Sequence, residues 1–236
     1  MMRRIISLLL SIALILAVPM TVNAASPSME LSFSQITMGD RNVVVPVVSK
    51  EISTFSTDSG RATKQLTFYL PVTEEGFEYN EQFVKKARNF SGETTDTNID
   101  PKMYMGVTTY IRYTISGAVS DNVWVDDFMV LIDNVAITKD KSPDSNYLIG
   151  ISSPSAYVEC SGYDVVGGST TTGQATNLSL NWGTAGVDTP SNWRPVVRGA
   201  YSNGCWAHAI FSCNLVYKVG GSVEEVACRF QHILNK

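Results

Sequence analysis

Short segments in which apolar and polar residues alternate dominate this chain, and they constrain its fold more than any other feature. In the clearest of them, Met29 to Met38, Met, Leu and Phe alternate with Glu and Ser. A period of two is typical of a β-strand with one buried face. About ten such segments are separated by clusters of Gly, Ser, Thr, Asn and Asp, which favour turns. The sequence therefore predicts an all-β fold, an antiparallel β-sandwich or an open, barrel-like sheet.

Two further predicted strands contain proline. The segments are 42–49, with Pro46 inside it, and 63–72, where Pro71 indicates a sheet edge or the end of the strand. The remaining predicted strands are 103–116, 122–137, 155–160, 177–182, 193–201 and both arms of a hairpin over 206–234. The Gly-rich segments 167–173 and 183–192 are predicted to be loops.

The pattern predicts at most one short helix, over residues 81–90. Phe83, Ala87 and Phe90 follow the i, i+4, i+7 spacing of a single helix face, and Asn80 is suited to cap the start. A helix of this length would pack against a sheet edge.

Residues 1–24 have the organisation of a secretory signal peptide. Arg3 and Arg4 precede an apolar run, and Val22-Asn23-Ala24 supplies small residues at the cleavage site. The apolar run is shorter than the ~20 residues needed to span a bilayer, and no later segment is long enough. We therefore expect a secreted protein of bacterial type, with no transmembrane segment after processing.

Removal of the signal peptide would leave a single domain over residues 25–236. A chain of this length can bury a sizeable core without depending on disulfides alone. The polar, irregular segment 92–101 is the candidate boundary if a small N-terminal lobe exists.

Export makes disulfides the expected state of the four cysteines. Gly220-Gly221 suits a two-residue hairpin turn, and folding the chain there places Cys213 opposite Cys228. Opposed residues have Cα atoms ~4.5–5.5 Å apart, which a disulfide accepts. We predict this bond and, by elimination, a second bond between Cys160 and Cys205; the alternative is four buried thiols.

A second predicted hairpin supplies the candidate ligand-binding face. If residues 117–121 form its loop, Arg112 lies opposite Asp126, with Tyr110 and Trp124 on the same face. Aromatic rings beside charged hydrogen-bonding groups suit a sugar, whose C–H surface stacks on the rings while its hydroxyls bond to the polar pair. The alternative interpretation is that these are ordinary cross-strand pairs that stabilise the sheet.

A weak calcium candidate lies between the predicted helix and the second hairpin. Asp96, Asn98 and Asp100 have the spacing that opens an EF-hand loop, but Pro101 and Val107 stand where a Gly and a Glu are required. An irregular calcium site is therefore an alternative to a solvated turn, and no other metal or cofactor is predicted.

Catalytic and nucleic-acid-binding signatures are missing from the sequence. The two histidines, His208 and His232, fall on opposite faces of the final hairpin and cannot share a metal or a substrate. No G-x-S-x-G, H-E-x-x-H or phosphate-binding glycine motif is present. The net charge of −4 argues against a dedicated nucleic-acid binder.

These observations predict a secreted, extracellular or envelope-associated binding or structural module without catalysis of its own. One alternative is a carbohydrate-binding module or a weak polysaccharide-active enzyme that uses Tyr110, Arg112, Trp124 and Asp126. Another is a secreted toxin or an assembly subunit. The expected partner is a cell-envelope polysaccharide or another protein.

Overall fold

A computed structural model describes residues 29–39, 41–55, 59–89, 99–100, 102–116, 128–140, 148–164, 170–198, 206–219 and 222–234. These residues contain thirteen β-strands and one α-helix. In chain order they are β1 (Met29–Met38), β2 (Arg41–Phe55), β3 (Ser59–Pro71), α1 (Glu74–Asn89), β4 (Tyr104–Ser116), β5 (Phe128–Lys139), β6 (Leu148–Ile151), β7 (Ser155–Asp164), β8 (Thr170–Thr172), β9 (Ala175–Ser179), β10 (Gly183–Asp188), β11 (Val196–Arg198), β12 (Trp206–Val219) and β13 (Ser222–Ile233).

The strands form one antiparallel sheet that curls into a nearly closed, barrel-like fold. Its order is β10-β5-β4-β3-β2-β1-β13-β12-β7-β8, with β6 added to β12 and β9 added to β7. The short strand β11 hydrogen-bonds to β5 and also contacts β7, so it joins the two ends of the sheet. This architecture confirms the predicted all-β fold with one short helix.

Alternate residues of the long strands fill the interior of the barrel. Rings from opposite walls meet there, with the centroids of Phe68 and Phe230 separated by 5.2 Å. Burial of these apolar side chains is the main stabilising contribution to such a fold. The largest fully buried side chains are those of Tyr113, Phe68, Phe211, Phe230, Ile36, Leu70, Met105, Ile111, Ile132, Ile137, Leu215 and Leu234.

The register of the final hairpin is the one predicted. Phe211 pairs with Phe230 and Cys213 pairs with Cys228, and the ladder closes at Val219 and Ser222. The two residues between those ends, Gly220-Gly221, lie outside the described residues. Because the two arms are joined by so short a connection, the local sequence determines the alignment.

The predicted disulfide bond between Cys213 and Cys228 is not present in the structure. Cys213 and Cys228 are opposed and fully buried, but both are thiols. Cys160 is buried, with Sγ 3.5 Å from the carbonyl oxygen of Val130. Its predicted partner Cys205 lies outside the described residues, so the Cys160–Cys205 bond stays a prediction. Register brings two Cα atoms within reach of a disulfide, but the side-chain geometry that a bond also requires is not determined by register.

The helix begins seven residues earlier than predicted. Thr73 caps it: the Thr73 hydroxyl accepts the N–H of Gly76 at 3.0 Å, and the Thr73 carbonyl accepts the N–H of Phe77. Asn80, predicted as the cap, lies inside the helix and is buried. Its Nδ2 donates to the carbonyl of Val44 at 2.9 Å and so fixes the helix to β2.

Proline marks the limits of pairing between β2 and β3. Their ladder begins at Val47 and Phe68, next to Pro46, whose nitrogen has no hydrogen to donate. The pairing of β1 with β2 continues past the same residue, opposite Phe33. Strand β3 ends at Pro71, one of the two outcomes predicted for that residue.

Two segments predicted as loops contain strands. The segment 183–192 includes β10, and 167–173 includes β8. Both strands are Gly- or Thr-rich and lie at the sheet ends, where apolar alternation is not required. Because their composition is typical of loops, the sequence pattern did not predict them as strands.

Some predictions concern residues that the structure does not describe, including the signal peptide at 1–24 and most of 92–101. Strands β3 and β4 flank the latter segment and pair with each other from Ser59 to Pro71. The single-domain assignment for 25–236 stays a prediction. Within the described ranges, no helix is long and apolar enough to cross a membrane.

Candidate functional site

Four strands bring charged and amide side chains together on one area of the outer sheet surface. Arg61 comes from β3, Arg112 from β4, Asp133 and Asn134 from β5, and Asp188 from β10. We call these five residues the Arg112 network. Its members are up to 127 residues apart in sequence, so the sheet alone brings them together.

Arg112 lies at the centre of this network. Its Nε donates to Oδ1 of Asp133, and its Nη2 donates to Oδ1 of Asp188 at 3.1 Å. Nδ2 of Asn134 donates to the same Asp188 oxygen at 2.7 Å, and Nη2 of Arg61 lies 3.3 Å from Oδ2 of Asp133. The two guanidinium groups and the two carboxylates balance in charge.

A β-bulge in β5 creates the site. Tyr113 pairs with Ile132 and Arg112 pairs with Asn134, which leaves Asp133 as an extra residue without a partner in β4. A bulge of this kind redirects a side chain. Here it presents the Asp133 carboxylate to Arg112.

The backbone carbonyl groups of Ile132 and Asp133, at the bulge, accept hydrogen bonds from Thr189, the residue that follows β10. Thr189 donates its backbone N–H to the carbonyl of Asp133 at 3.1 Å and its hydroxyl to the carbonyl of Ile132 at 2.7 Å. Paired carbonyls of this kind make the bulge a stable feature of the sheet.

A glycine allows β10 to approach closely enough for Asp188 to join the network. Gly186 has φ of +67°, and a Cβ there would meet Asn134 Oδ1 and the carbonyl oxygen of Val135 well inside contact distance. Only glycine combines that backbone conformation with the missing side chain. The irregular pairing of β10 with β5 spans this residue.

The exposed fraction of the side chain decreases from Asp188 through Arg112 to Asp133. The side chains are 74% exposed for Asp188, 35% for Arg112 and 19% for Asp133. The hydrogen bond from Asn134, together with the charges of Arg112 and Arg61, lowers the pKa of Asp188. A lowered pKa favours the carboxylate form, which accepts hydrogen bonds.

Tyr110 lies on the same outer surface, two residues before Arg112 on β4. Its hydroxyl is 3.4 Å from Oγ1 of Thr138, and its ring is half-buried. The predicted placement of Tyr110 and Arg112 on one face is therefore consistent with the strand that carries them, which has Met105, Val107, Ile111 and Tyr113 on the opposite, buried face.

The predicted pairing of Arg112 with Asp126 is wrong. Arg112 lies opposite Asn134 and Tyr110 lies opposite Ala136, a shift of eight residues. The observed register buries Val130, Ile132, Val135 and Ile137 completely, and a strand with one buried face is held to the register that places its apolar residues there. Trp124 and Asp126 lie outside the described residues.

The sequence contained an unrecognised signal for the bulge. In β5 the buried residues are even-numbered at Val130 and Ile132, and odd-numbered at Val135 and Ile137. Such a change of parity requires one extra residue between the two pairs. No comparable local signal identifies Arg61 or Asp188, because both reach the site through long-range pairing.

The histidines lie on strands that do not pair with β3, β4, β5 or β10. His208 is on the outer face of β12, with Nε2 4.0 Å from Glu159 Oε2, and His232 is fully buried on the inner face of β13. The prediction that they occupy opposite faces is confirmed. Burial lowers the pKa of both imidazoles, although Glu159 opposes this for His208.

His232 contacts a hydroxyl group of β4 inside the barrel. Its Nδ1 lies 3.2 Å from Oγ1 of Thr109, which itself lies 3.4 Å from the carbonyl oxygen of Leu66. Nε2 is buried and has no hydrogen-bond partner among the described residues. The nearby ammonium group of Lys64 lowers the pKa of His232 further.

The calcium candidate lies mostly outside the described residues and stays a prediction. In the described ranges, no group of three or more His, Cys, Asp or Glu residues could hold a metal ion. Asp100 accepts the N–H of Lys102 in a turn, and Asp96 and Asn98 lie outside those ranges. Trp182 and Trp193 pack against the core, as expected for aromatic residues at strand ends.

The chain was compared with models of protein families, with curated proteins and with solved structures. None of the three comparisons yields a match.

Proposed function

We propose that this protein is a secreted or envelope-associated binding module without catalysis of its own, and that the Arg112 network is the centre of its recognition surface. The observation that carries the proposal is the convergence of five polar side chains from four strands on an outward-facing area. Side chains held by one another on a rigid sheet are pre-organised, which lowers the entropic cost of binding a ligand.

The chemistry of the network favours binding over bond cleavage. The two guanidinium groups supply hydrogen-bond donors only, and the lowered pKa of Asp188 favours the carboxylate, which accepts. Neither histidine belongs to the strands that build the surface. A ligand with several hydroxyl or amide groups would match its mixture of donors and acceptors.

The secreted location rests on residues 1–24. If they are a signal peptide, protein recovered from the medium or the envelope begins at Ala25. N-terminal sequencing tests this directly, and recovery of full-length chain from the cytoplasm would contradict it.

Binding to insoluble glycans and cell-envelope material tests the recognition surface. We expect Arg112→Met to lose at least about tenfold in affinity, because it removes the donor that orients Asp133 and Asp188. The control is Arg229→Met, which changes an exposed arginine on β13, a strand that does not pair with β3, β4, β5 or β10. Equal loss in both variants, or none in either, would contradict the proposed surface.

A second candidate function is that of a carbohydrate-binding module, and the Tyr110 ring on the same face as Arg112 favours it. Stacking needs the ring and not the hydroxyl. Tyr110→Phe is therefore expected to bind glycans like the parent, whereas Tyr110→Ala is expected to bind them several-fold more weakly. If both variants bind every tested glycan like the parent, the carbohydrate interpretation is wrong.

A further inference from the structure

Strand β1 has one edge that is paired throughout and one edge that is bonded to a described strand only at its C-terminal end. It pairs with β2 along its whole length, from Met29 to Met38. On the other side, β13 pairs only at Thr37 and Met38. We call the segment from Met29 to Gln35 on this side the β1 edge.

The direction of its backbone groups follows from the hydrogen bonds next to it. The N–H of Gly39 donates to the carbonyl of Ala227, and Thr37 stands opposite Arg229 two residues earlier. Because hydrogen-bonded pairs alternate along an antiparallel ladder, the odd-numbered residues of β1 direct their N–H and C=O groups away from β2. The N–H groups of Leu31 and Phe33 therefore point out of the sheet edge.

The facing edge of β13 is partly covered. The ammonium group of Lys64 reaches it from β3 and donates to the carbonyl oxygen of Ile233 at 3.2 Å. The β1 edge contains neither the lysine nor the proline by which natural edge strands avoid pairing with another chain.

Side-chain exposure along β1 agrees with an accessible edge. Met29 is 72% exposed, an unusual value for a large apolar residue in this protein. Glu30 and Ser32, which alternate with it on the other face, are exposed as well. Phe33 is half-buried, with its ring 6.1 Å from that of Phe83 in α1.

We propose that the β1 edge pairs with the β1 edge of a second copy, in an antiparallel arrangement about a two-fold axis. Identical strands related by such an axis are necessarily antiparallel, which is the geometry an extended antiparallel sheet requires. Registers that pair odd-numbered residues place Met29, Leu31 and Phe33 of one copy against the same apolar set of the other. A register centred on residue 31 pairs Leu31 with Leu31 and Met29 with Phe33, and it places Glu30 opposite Ser32, which avoids contact between the two carboxylates.

Sedimentation of the purified protein over a range of concentrations tests this pairing. We expect a monomer–dimer equilibrium that Leu31→Pro weakens by at least about tenfold, because proline removes an outward N–H from both copies without removing a bond to β2. Val223→Lys alters another exposed apolar residue, on β13, and is expected to leave the equilibrium unchanged. A protein that stays monomeric, or a dimer unaffected by Leu31→Pro, would overturn the proposal.

Residue-resolved amide exchange provides a second readout that does not depend on a variant folding. The amides of Leu31 and Phe33 are expected to become protected as concentration rises, whereas those of Ser32 and Ser34, bonded to β2, are expected to be protected at every concentration. Protection of the odd-numbered amides that is independent of concentration would show that a segment of the same chain covers the edge, and would equally overturn the proposal.

Discussion

Arg112 of β4 donates from Nε to the carboxylate of Asp133, the extra residue at the bulge of β5. This bond connects the irregularity in the sheet to the charged surface above it. The bulge directs the carboxylate outward, and the guanidinium group compensates a side chain that is only 19% exposed. Structure and candidate function therefore depend on the same pair.

Loss of Arg112 is expected to reduce stability as well as binding. In Arg112→Met, the free energy of unfolding should fall by about 1–2 kcal/mol, because a partly buried carboxylate loses a charged donor. Denaturant titration measures this change. Arg229→Met should stay within about 0.5 kcal/mol of the parent, as exposed surface substitutions usually do; an equal loss there would mean that the network contributes nothing specific.

Replacement of Gly186 is expected to disturb the site from a distance. Gly186→Ala imposes a Cβ on a residue with φ of +67° and against the oxygen atoms of Asn134 and Val135. We expect a loss of about 1–3 kcal/mol and weaker placement of Asp188. Gly173→Ala is a suitable control, since a Cβ there meets nothing within 4 Å. Thermal unfolding of both variants measures the loss of stability. A similarly small loss in Gly186→Ala and Gly173→Ala would contradict the role given to Gly186.

Asn80 is expected to hold the helix on the sheet. It donates to the carbonyl of Val44 and accepts from the hydroxyl of Tyr104 at 3.3 Å, both within a buried region. Asn80→Ala leaves those groups without partners and should cost about 1–3 kcal/mol in the free energy of unfolding. Glu78→Ala, on the exposed side of the same helix, should change it by less than about 0.5 kcal/mol. If the two variants are equally stable, Asn80 does not anchor the helix.

Stability is expected to fall as the pH decreases from 7 towards 5. The pKa of His232 lies well below 6.5 in the folded protein, so the unfolded chain takes up a proton there first and is favoured by acid. The slope is up to about 1.4 kcal/mol per pH unit for each such histidine.

His232→Asn keeps a hydrogen-bonding side chain for Thr109 but does not titrate, so it should reduce this slope whatever its effect on overall stability. His208→Asn should reduce it less, because Glu159 opposes the lowering of the His208 pKa. Urea titrations at several pH values provide the slopes. An unchanged slope in His232→Asn would show that its burial is not the source of the acid sensitivity.

The thiols of Cys213 and Cys228 are expected to resist alkylation in the native protein. Burial raises the pKa of the Cys213 thiol to about 12 and raises that of Cys228 as well. Since the thiolate is the reactive form, we expect an alkylating reagent to label Cys213 and Cys228 only after unfolding. Mass spectrometry with and without denaturant measures this, and rapid labelling of either residue in native protein would contradict their burial.

Local features of the sequence predicted some of the local structure well. The Gly-Gly connection determines the register of β12 and β13, and the predicted strand Met29–Met38 has the same bounds as β1. In both cases the information lies within the strand or in a two-residue turn. Where the connection is longer, as between β4 and β5, the turn no longer determines the alignment and tertiary packing does.

Only part of the candidate site could be predicted from the sequence. Tyr110 and Arg112 could be assigned to one face because they lie two residues apart on one strand. Asp133 was not predicted, because the bulge shifts the alternation of buried and exposed residues in β5 by one residue. The change from even-numbered to odd-numbered buried residues between Ile132 and Val135 indicates this shift. Asp188 lies 76 residues from Arg112 in a segment with the composition of a loop, and only the completed sheet brings the two together.

The most direct test of the recognition surface is a map of ligand contacts on isotopically labelled protein. Soluble glycan fragments and envelope polysaccharide are titrated in, and the backbone amide shifts are followed by NMR. We expect the largest changes to cluster around Arg112, Asp133 and Asp188 and to disappear in Arg112→Met. Changes centred on another part of the sheet, or retained in that variant, would contradict this expectation.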